Sequence, residues 1–304
     1  MIVLLGPQHA EPSVPRILKE LGVTSCAMVT AGWQEREGEQ GVVADVGVPS
    51  VELSLHTRAD EVFAKDKELQ AAYKARQTKL KLMQDFYRVR LDHNEKAMRA
   101  ISVRSASKDL LDEEFAASIE LIRTIDRDHL DRCRAAHQAF DDHWPQRPLV
   151  AKHVAQIKDA IAKTGALVIA GGHVAVLLNR LRLFDVISLA GDRPIIAWSA
   201  GAMALTERVV LFHDDPPHGT AISEILDVGL GLVKDIVVLP EPRLRLHLYE
   251  QSRVAEMAQR YSPARCIAMD HGAKLFVEDG RVVKQSAQLL TRSGAVEDLE
   301  GLVS

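Results

Sequence analysis

Cysteine is scarce. Cys26, Cys133 and Cys266 are three in 304 residues, odd in number and far apart, so they form neither a disulfide framework nor a Cys-x-x-Cys metal clasp. A reducing cytoplasm is the expected setting. Neither sign of charge is in large excess. The formal net charge is −4, which leaves no electrostatic footprint for nucleic acid or for a membrane surface. Long apolar runs are missing too. No window approaches the ~18 apolar residues of a membrane span. The opening "MIVLLGPQ" carries a short apolar run with no basic region before it, which suits a first strand better than a signal peptide. There is no internal repeat and no low-complexity segment. What remains is 47% hydrophobic and 26% charged residues, an ordinary globular composition at a length that fits one large domain or two small ones.

Glycine is absent from residues 58 to 145, and that absence divides the chain. Before it, "IVLLG" (2–6) and "SCAMVTAGW" (25–33) read as strands around a helix-like "EPSVPRILKELG" (11–22) that Gly22 stops, and "VELSL" (51–55) is a candidate third strand. Inside it, Val62, Leu69, Tyr73, Leu80, Met83, Tyr87, Leu91, Met98 and Ile101 follow steps of three and four, interrupted by Asp66, Arg76 and Asn94. "SVRSASKD" (102–109) breaks the run, with Ser107 placed to cap a second helix. Phe115, Ile119, Ile122, His129, Cys133, Ala136, Phe140 and His143 continue the stripe until Trp144, Pro145 and Pro148 end it. The expectation is a long helical hairpin over 58–145, inserted into a core made of 1–57 and 146–304. Two helices alone cannot bury both faces, so the hairpin packs on the core, on a second copy, or on both.

After Pro148 the strand–helix rhythm returns: helix 149–163, strand 166–172, helix 174–184, strand 194–198, helix 200–207, then "RVVLF" (208–212), "DIVVL" (235–239), helix 243–260 and "RCIAMD" (265–270). "AKLFVEDGRVVKQ" (273–285) is a hairpin turning at Asp279-Gly280. Apolar strands alternating with helices predict a mainly parallel sheet covered on both faces.

Such a sheet places its functional loops at the carboxyl ends of its strands. At one of them "IAWSAGAMAL" runs strand, Ser199, small residues, helix. This is close to the G-x-S-x-G nucleophile elbow, with Ala197 in place of the first glycine. The turn needs small residues because it forces the serine toward unfavourable φ/ψ, and it aims the Ala200 N–H at a developing oxyanion. A strand–helix turn with a capping serine would look similar. At another strand end, Gly171 and Gly172 of "VIAGGHVAVLL" open a helix and let backbone N–H groups approach a ligand, Gly172 being the candidate second oxyanion donor.

With these motifs in view, the sequence resembles the dipeptidase E and cyanophycinase type of serine peptidases, on the class I glutamine amidotransferase-like fold. The resemblance rests on "AGGHVAVLL", "WSAGAM", "VGLGLVKDIVVLPEPRLR" and "AMDHGAKLFVEDGRVV", four motifs in order over roughly 166–285, with an echo in "AMVTAGW". It implies a three-layer α/β/α sandwich, flavodoxin-like, with a mostly parallel sheet. It also implies that Ser199 stands where the family's nucleophile stands. The family's catalytic histidine falls on Glu241 and its triad glutamate on His271, so these two residue types are exchanged. A Ser-His-carboxylate relay needs the imidazole beside the hydroxyl and the acid behind it. A carboxylate, with a reference pKa near ~4, is a poor base for a hydroxyl. Three readings stay open: His271 reaches Ser199 with Glu241 or Asp270 orienting it; His173 or His247 serves instead; or the pocket binds without cleaving.

Other clusters have plainer readings. His213, Asp214, Asp215 and His218 in "HDDPPH" are metal-ligand types, but a solvated loop shaping substrate fits two prolines better. His129, Cys133 and His137 lie at four-residue steps that drift by ~40° each, which favours packing. Arg243 and Arg245 suit a substrate carboxylate or the solvated face of a helix start. "KARQTKLK" (74–81) reads as a solvent-facing charge run. No metal ion and no cofactor is expected.

The resulting expectation is a serine-type peptidase or amide hydrolase acting through an acyl-enzyme on Ser199. His271 would be the base, Glu241 the orienting acid, and Gly172 and Ala200 the oxyanion donors. The substrate would be a peptide or an amino-acid-derived small molecule, and the assembly a homodimer through 58–145. The alternative is a catalytically silent binding or scaffold protein assembled through its hairpin; an esterase using the same elbow is the weaker rival.

Overall fold

The computed structural model describes residues 1–9, 12–39, 46–143, 147–215 and 223–299. Continuous apolar strands, buried on both faces, build its centre. The strands β1 (Ile2–Leu5), β2 (Cys26–Val29), β3 (Ser50–Glu52), β4 (Ala166–Ile169) and β5 (Ile195–Trp198) lie parallel, and the antiparallel hairpin β10 (Lys274–Glu278) and β11 (Arg281–Ser286) extends the edge beyond β1. The order across this seven-stranded sheet is β11-β10-β1-β5-β4-β2-β3. Alternate residues serve opposite layers. Val3, Leu5, Met28, Val168 and Ile196 pack against Ile17 and Leu18 of α1 (Val14–Glu20). Leu4, Ala27, Leu167, Ile169 and Ala197 face α5 (Pro148–Ala162) and α6 (Val174–Leu183). This is the three-layer arrangement expected for the alternating pattern, and Asp279 and Gly280 turn the β10–β11 hairpin with positive φ, as expected for that dipeptide.

Three details differ from the expected segmentation. The helical run from 58 is divided at Asp66, which accepts a hydrogen bond from the Leu69 N–H and binds Arg147, separating α2 (Leu55–Lys65) from α3 (Lys67–Ser102). The run 243–260 is divided into α9 (Pro242–Arg245) and α10 (Gln251–Tyr261). The strands β8 (Ile236–Pro240) and β9 (Arg265–Met269) pair in parallel, but in a second, four-stranded sheet with β12 (Gln288–Leu290) and β13 (Val296–Asp298). Between β5 and β8 lie α8 (Ala200–Leu205) and an antiparallel pair, β6 (Arg208–Leu211) and β7 (Glu224–Val228); a short α7 (Val186–Ala190) precedes β5.

The expected hairpin is α3 with α4 (Lys108–His143), opened by the Ser107 hydroxyl accepting from the Leu110 N–H. Trp144 and Pro145, expected to end it, lie outside the described residues, while Pro148 opens α5. Its inner stripe packs on the second sheet, on β6–β7 and on α10. A buried polar knot fastens it there: Tyr87 Oη donates to Asp126 (2.7 Å), and Arg260 of α10 donates to both Asp126 oxygens at 2.8 Å. Burial disfavours the Arg260 cation, but Asp126 beside it overcomes this and holds its pKa well above the usual value. Arg76, an interruption in the sequence stripe, lies over the Phe140 ring at 4.1 Å and donates to Asn179. His129 stacks on Tyr87 at 4.3 Å with Cys133 Sγ 3.6 Å from its Nε2, and His137 bonds Asp227 of β7 at 2.8 Å. The histidine–cysteine row is therefore packing and anchorage. Burial pushes the thiols up, Cys26 to about 11 and Cys133 and Cys266 to about 12, which leaves none of them a thiolate nucleophile near neutrality. Among the described residues no helix is long and apolar enough to cross a membrane.

Candidate active site

Strand β5 delivers Ser199 and helix α8 leaves it, so the serine sits on a hinge only one residue long. Its backbone is held at φ 48°, ψ −119°, and its N–H donates to the Leu5 carbonyl at 3.1 Å. A non-glycine residue in this region costs on the order of 1–3 kcal/mol and persists where its surroundings over-determine it. Two glycines make the hinge possible. A Cβ on Gly201 would stand 2.6 Å from the Ile169 carbonyl oxygen, so α8 can lie against β4 only without one. Gly172 has φ 106°, and a Cβ there would stand 2.5 Å from the Gly32 oxygen. The double-glycine turn and the "TAGW" turn thus close on each other beside the elbow, with the His173 N–H donating to the Gly32 oxygen at 2.7 Å.

A cavity of about 520 Å³ opens above the elbow. Ser199, Gly172 and Ala200 line it together with His213, Glu224, Glu241 and Arg245. The Ala200 amide starts α8 and has no acceptor within its helix. The apolar part of the wall comes from Val174, Met203 and Phe212. Glu224, on β7, is gripped by Arg88 of α3 at 2.6 and 2.7 Å, so the helical hairpin supports one wall of the cavity.

The histidines divide clearly. His213 shares the cavity with Ser199, and its Nδ1 is buried with no hydrogen-bond partner among the described residues. Its loop is pinned by the Asp214 N–H donating to the Arg245 carbonyl at 2.7 Å. His173 caps its own helix, its Nδ1 accepting from the Val176 N–H at 3.4 Å. His247 turns into another cavity and binds Asp215 at 2.6 Å, and that hydrogen bond raises its pKa. His271 lines a different cavity, with Asp270 and Arg243. The exchanged pair is thus divided, Glu241 lining the Ser199 cavity and His271 another one. Glu241 itself sits at φ 53°, between His9 (3.7 Å) and Arg245 (3.2 Å).

The two arginines part company as well. Arg245 faces the Ser199 cavity, whereas Arg243 binds Asp270 at 3.1 Å and Gln288 at 3.0 Å. The "HDDPPH" side chains are spent separately: Asp214 holds Arg253 at 2.9 Å, Asp215 holds His247, and His218 lies outside the described residues. Sequence reasoning placed the His213 loop near the substrate but missed His213 as a candidate base, along with the Glu224–Arg88 wall and His9. Only the first had a local signal, its place one step beyond a strand that follows the elbow helix.

Residues 126–285, more than half of the chain, match the description "Peptidase family S51". Among curated proteins no match is found. Solved structures that resemble the chain include a peptidase from an acI-B1 Actinobacterium, at 13% identity and TM-score 0.48, covering 98% of this chain and 93% of that one. A peptidase E-type protein from Listeria monocytogenes EGD-e resembles it at 10% identity and TM-score 0.43, covering 94% of this chain and 97% of that one.

Proposed function

Because this chain belongs to peptidase family S51, we propose that it is a serine-type hydrolase cleaving a peptide or related amide bond through an acyl-enzyme on Ser199. One observation carries the reading: Ser199 is held in a strained elbow with its residue on the wall of a cavity. In this scheme Ser199 Oγ attacks the carbonyl carbon, and the Gly172 and Ala200 N–H groups receive the oxyanion. His213, the imidazole on the same cavity, takes the hydroxyl proton and hands it to the leaving amine; water then hydrolyses the ester. Arg245 receives a carboxylate of the substrate. The relay expected from the sequence, His271 with Glu241, is the alternative. It is less well supported because Glu241 stands on the cavity and His271 on another one, and a carboxylate is a weak base toward a hydroxyl.

A fluorophosphonate probe tests the proposal. Wild type is expected to be labelled and Ser199→Ala is not. A folded wild type that stays unlabelled, with no amide-bond cleavage, overturns the hydrolase and leaves the silent-pocket reading. That second reading, a protein assembled as two copies through its hairpin, has one observation in its favour: Leu82, Phe86 and Val89 form an apolar row on α3, exposed to 52%, 65% and 58%.

A further inference from the structure

A second constellation borders the Ser199 cavity and takes no part in the chemistry proposed for it. His9 follows β1, Glu241 follows β8 and His271 follows β9, so three segments far apart in the chain converge. His9 Nε2 lies 3.7 Å from Glu241 Oε1, and the His9 and His271 rings meet edge to face with centroids 4.4 Å apart. One ligand atom from each of the three residues lies within 4.8 Å of the other two.

Two imidazoles and one carboxylate are the donor set of open transition-metal sites, whereas magnesium and calcium favour oxygen donors. A tetrahedral zinc ion at about 2.0–2.1 Å from each donor spaces the donors about 3.4 Å apart. The His9–Glu241 pair is already near that spacing, and both histidines are exposed, free to turn the remaining distance. The carboxylate is oriented for such a role. Oε1 faces His9, while Oε2 accepts from Arg245 Nη2 at 3.2 Å, an outer partner of the kind that fixes a ligating carboxylate. The Glu241 N–H donates to the Met269 carbonyl at 3.2 Å, which ties its loop to the one that carries His271.

We infer that His9, Glu241 and His271 form a binding site for a divalent transition-metal ion of the zinc class, with its remaining coordination position open. The spacing in the sequence conceals it, because 9, 241 and 271 share no local motif. The site shares Glu241 with the wall of the Ser199 cavity but does not depend on Ser199 being a nucleophile.

The full-length protein, stripped with chelator, is titrated with Zn²⁺ by calorimetry and with Co²⁺ by visible absorption. Wild type and Ser199→Ala are expected to bind one equivalent alike. His9→Ala, His271→Ala and Glu241→Gln are each expected to bind at least ~10-fold more weakly, ~1.4 kcal/mol, with unchanged circular dichroism. His247→Ala, which removes the exposed imidazole beside Asp215, is expected to bind as wild type does. Absence of stoichiometric binding by wild type overturns the inference. So does a loss of affinity that follows His247→Ala and spares His9→Ala and His271→Ala.

Discussion

His213 and Ser199 line one cavity, and the buried Nδ1 of His213 has no hydrogen-bond partner among the described residues. In the proposed scheme His213→Ala lowers the rate of fluorophosphonate labelling at Ser199 by ~10²–10⁴-fold, while His271→Ala leaves it close to wild type. The rates are compared after circular dichroism shows both variants folded. The opposite ordering restores His271 as the base, with Glu241 its orienting acid.

The elbow predicts an inverted response to a substitution that usually stabilises helices. Gly to Ala inside a helix ordinarily gains about 1 kcal/mol from propensity. At Gly201 the new Cβ meets the Ile169 oxygen at 2.6 Å and the Ala170 oxygen at 2.8 Å, both backbone atoms that cannot turn aside. Gly201→Ala is therefore expected to destabilise by ~1–3 kcal/mol and to lose labelling with it. Denaturant midpoints measure the first effect; a more stable variant would mean that α8 does not lie against β4 as described.

Much of this architecture is legible from the chain because burial imposes a period. The short, uniformly apolar run Val3-Leu4-Leu5, buried on both faces, and the steps of three and four through Leu69, Tyr87 and Leu91 announce their elements. The elbow is legible for another reason: a strained turn restricts its neighbours to small residues, as at Ala200 and Gly201. The partition of β8 and β9 into a second sheet is not legible, since strand pairing is decided by packing between segments far apart. The same holds for His9 beside Glu241. Asp66 is readable as an interruption, and its cap of the Leu69 N–H is local, but the Arg147 that also binds it comes from 81 residues away.

The knot that fastens the hairpin gives a stability prediction. Asp126 accepts from Tyr87 and twice from Arg260, all buried. Removing one partner of a buried ion pair strands the other charge and costs ~3–5 kcal/mol. Asp126→Ala is expected to lose about that much in urea melts. Tyr87→Phe removes hydrogen bonds to Asp126, Arg260 and the Ile225 N–H but no charge, and is expected to cost less. Equal costs would indicate that the hydroxyl, not the ion pair, organises the knot.

Glu95 on α3, although 3.6 Å from Arg99, gives a pH dependence of opposite sign to that of a carboxylate whose pKa a salt bridge depresses, because burial outweighs the nearby cations. Burial, reinforced by Glu256, raises its pKa to about 7. Below the unfolded value near ~4.3 both states hold the proton and the residue contributes no penalty. Between that value and 7 the folded state keeps a proton that the unfolded state has released, so stability falls as pH rises. Above 7 the penalty is constant. Glu95→Gln is thus expected to match wild type near pH 4 and to exceed it by up to ~3 kcal/mol at pH 8. Glu52, raised to about 7 chiefly by burial, leaves a residual slope of the same sign in the variant. Chemical denaturation at several pH values measures the difference; a gain confined to acid pH would reverse the assignment.

The outer face of the hairpin predicts an assembly. Leu82, Phe86 and Val89 recur at steps of four and three on α3 and stay exposed, while Leu80, Tyr87 and Leu91 of the same helix pack inward. An apolar row of this kind on a helix of 36 residues is suited to a second copy of itself in a two-fold pairing. Full-length protein is expected to sediment as a dimer, and Phe86→Asp as a monomer. Because Phe86 touches solvent rather than core, the substitution should shift the stability of the monomer by no more than about 0.5 kcal/mol. Labelling at Ser199 should persist in the monomer, since the cavity is built within one chain. A wild type that remains monomeric at every concentration excludes the hairpin as an interface, and loss of labelling in Phe86→Asp would instead tie assembly to the cavity through the Arg88–Glu224 contact on the same helix.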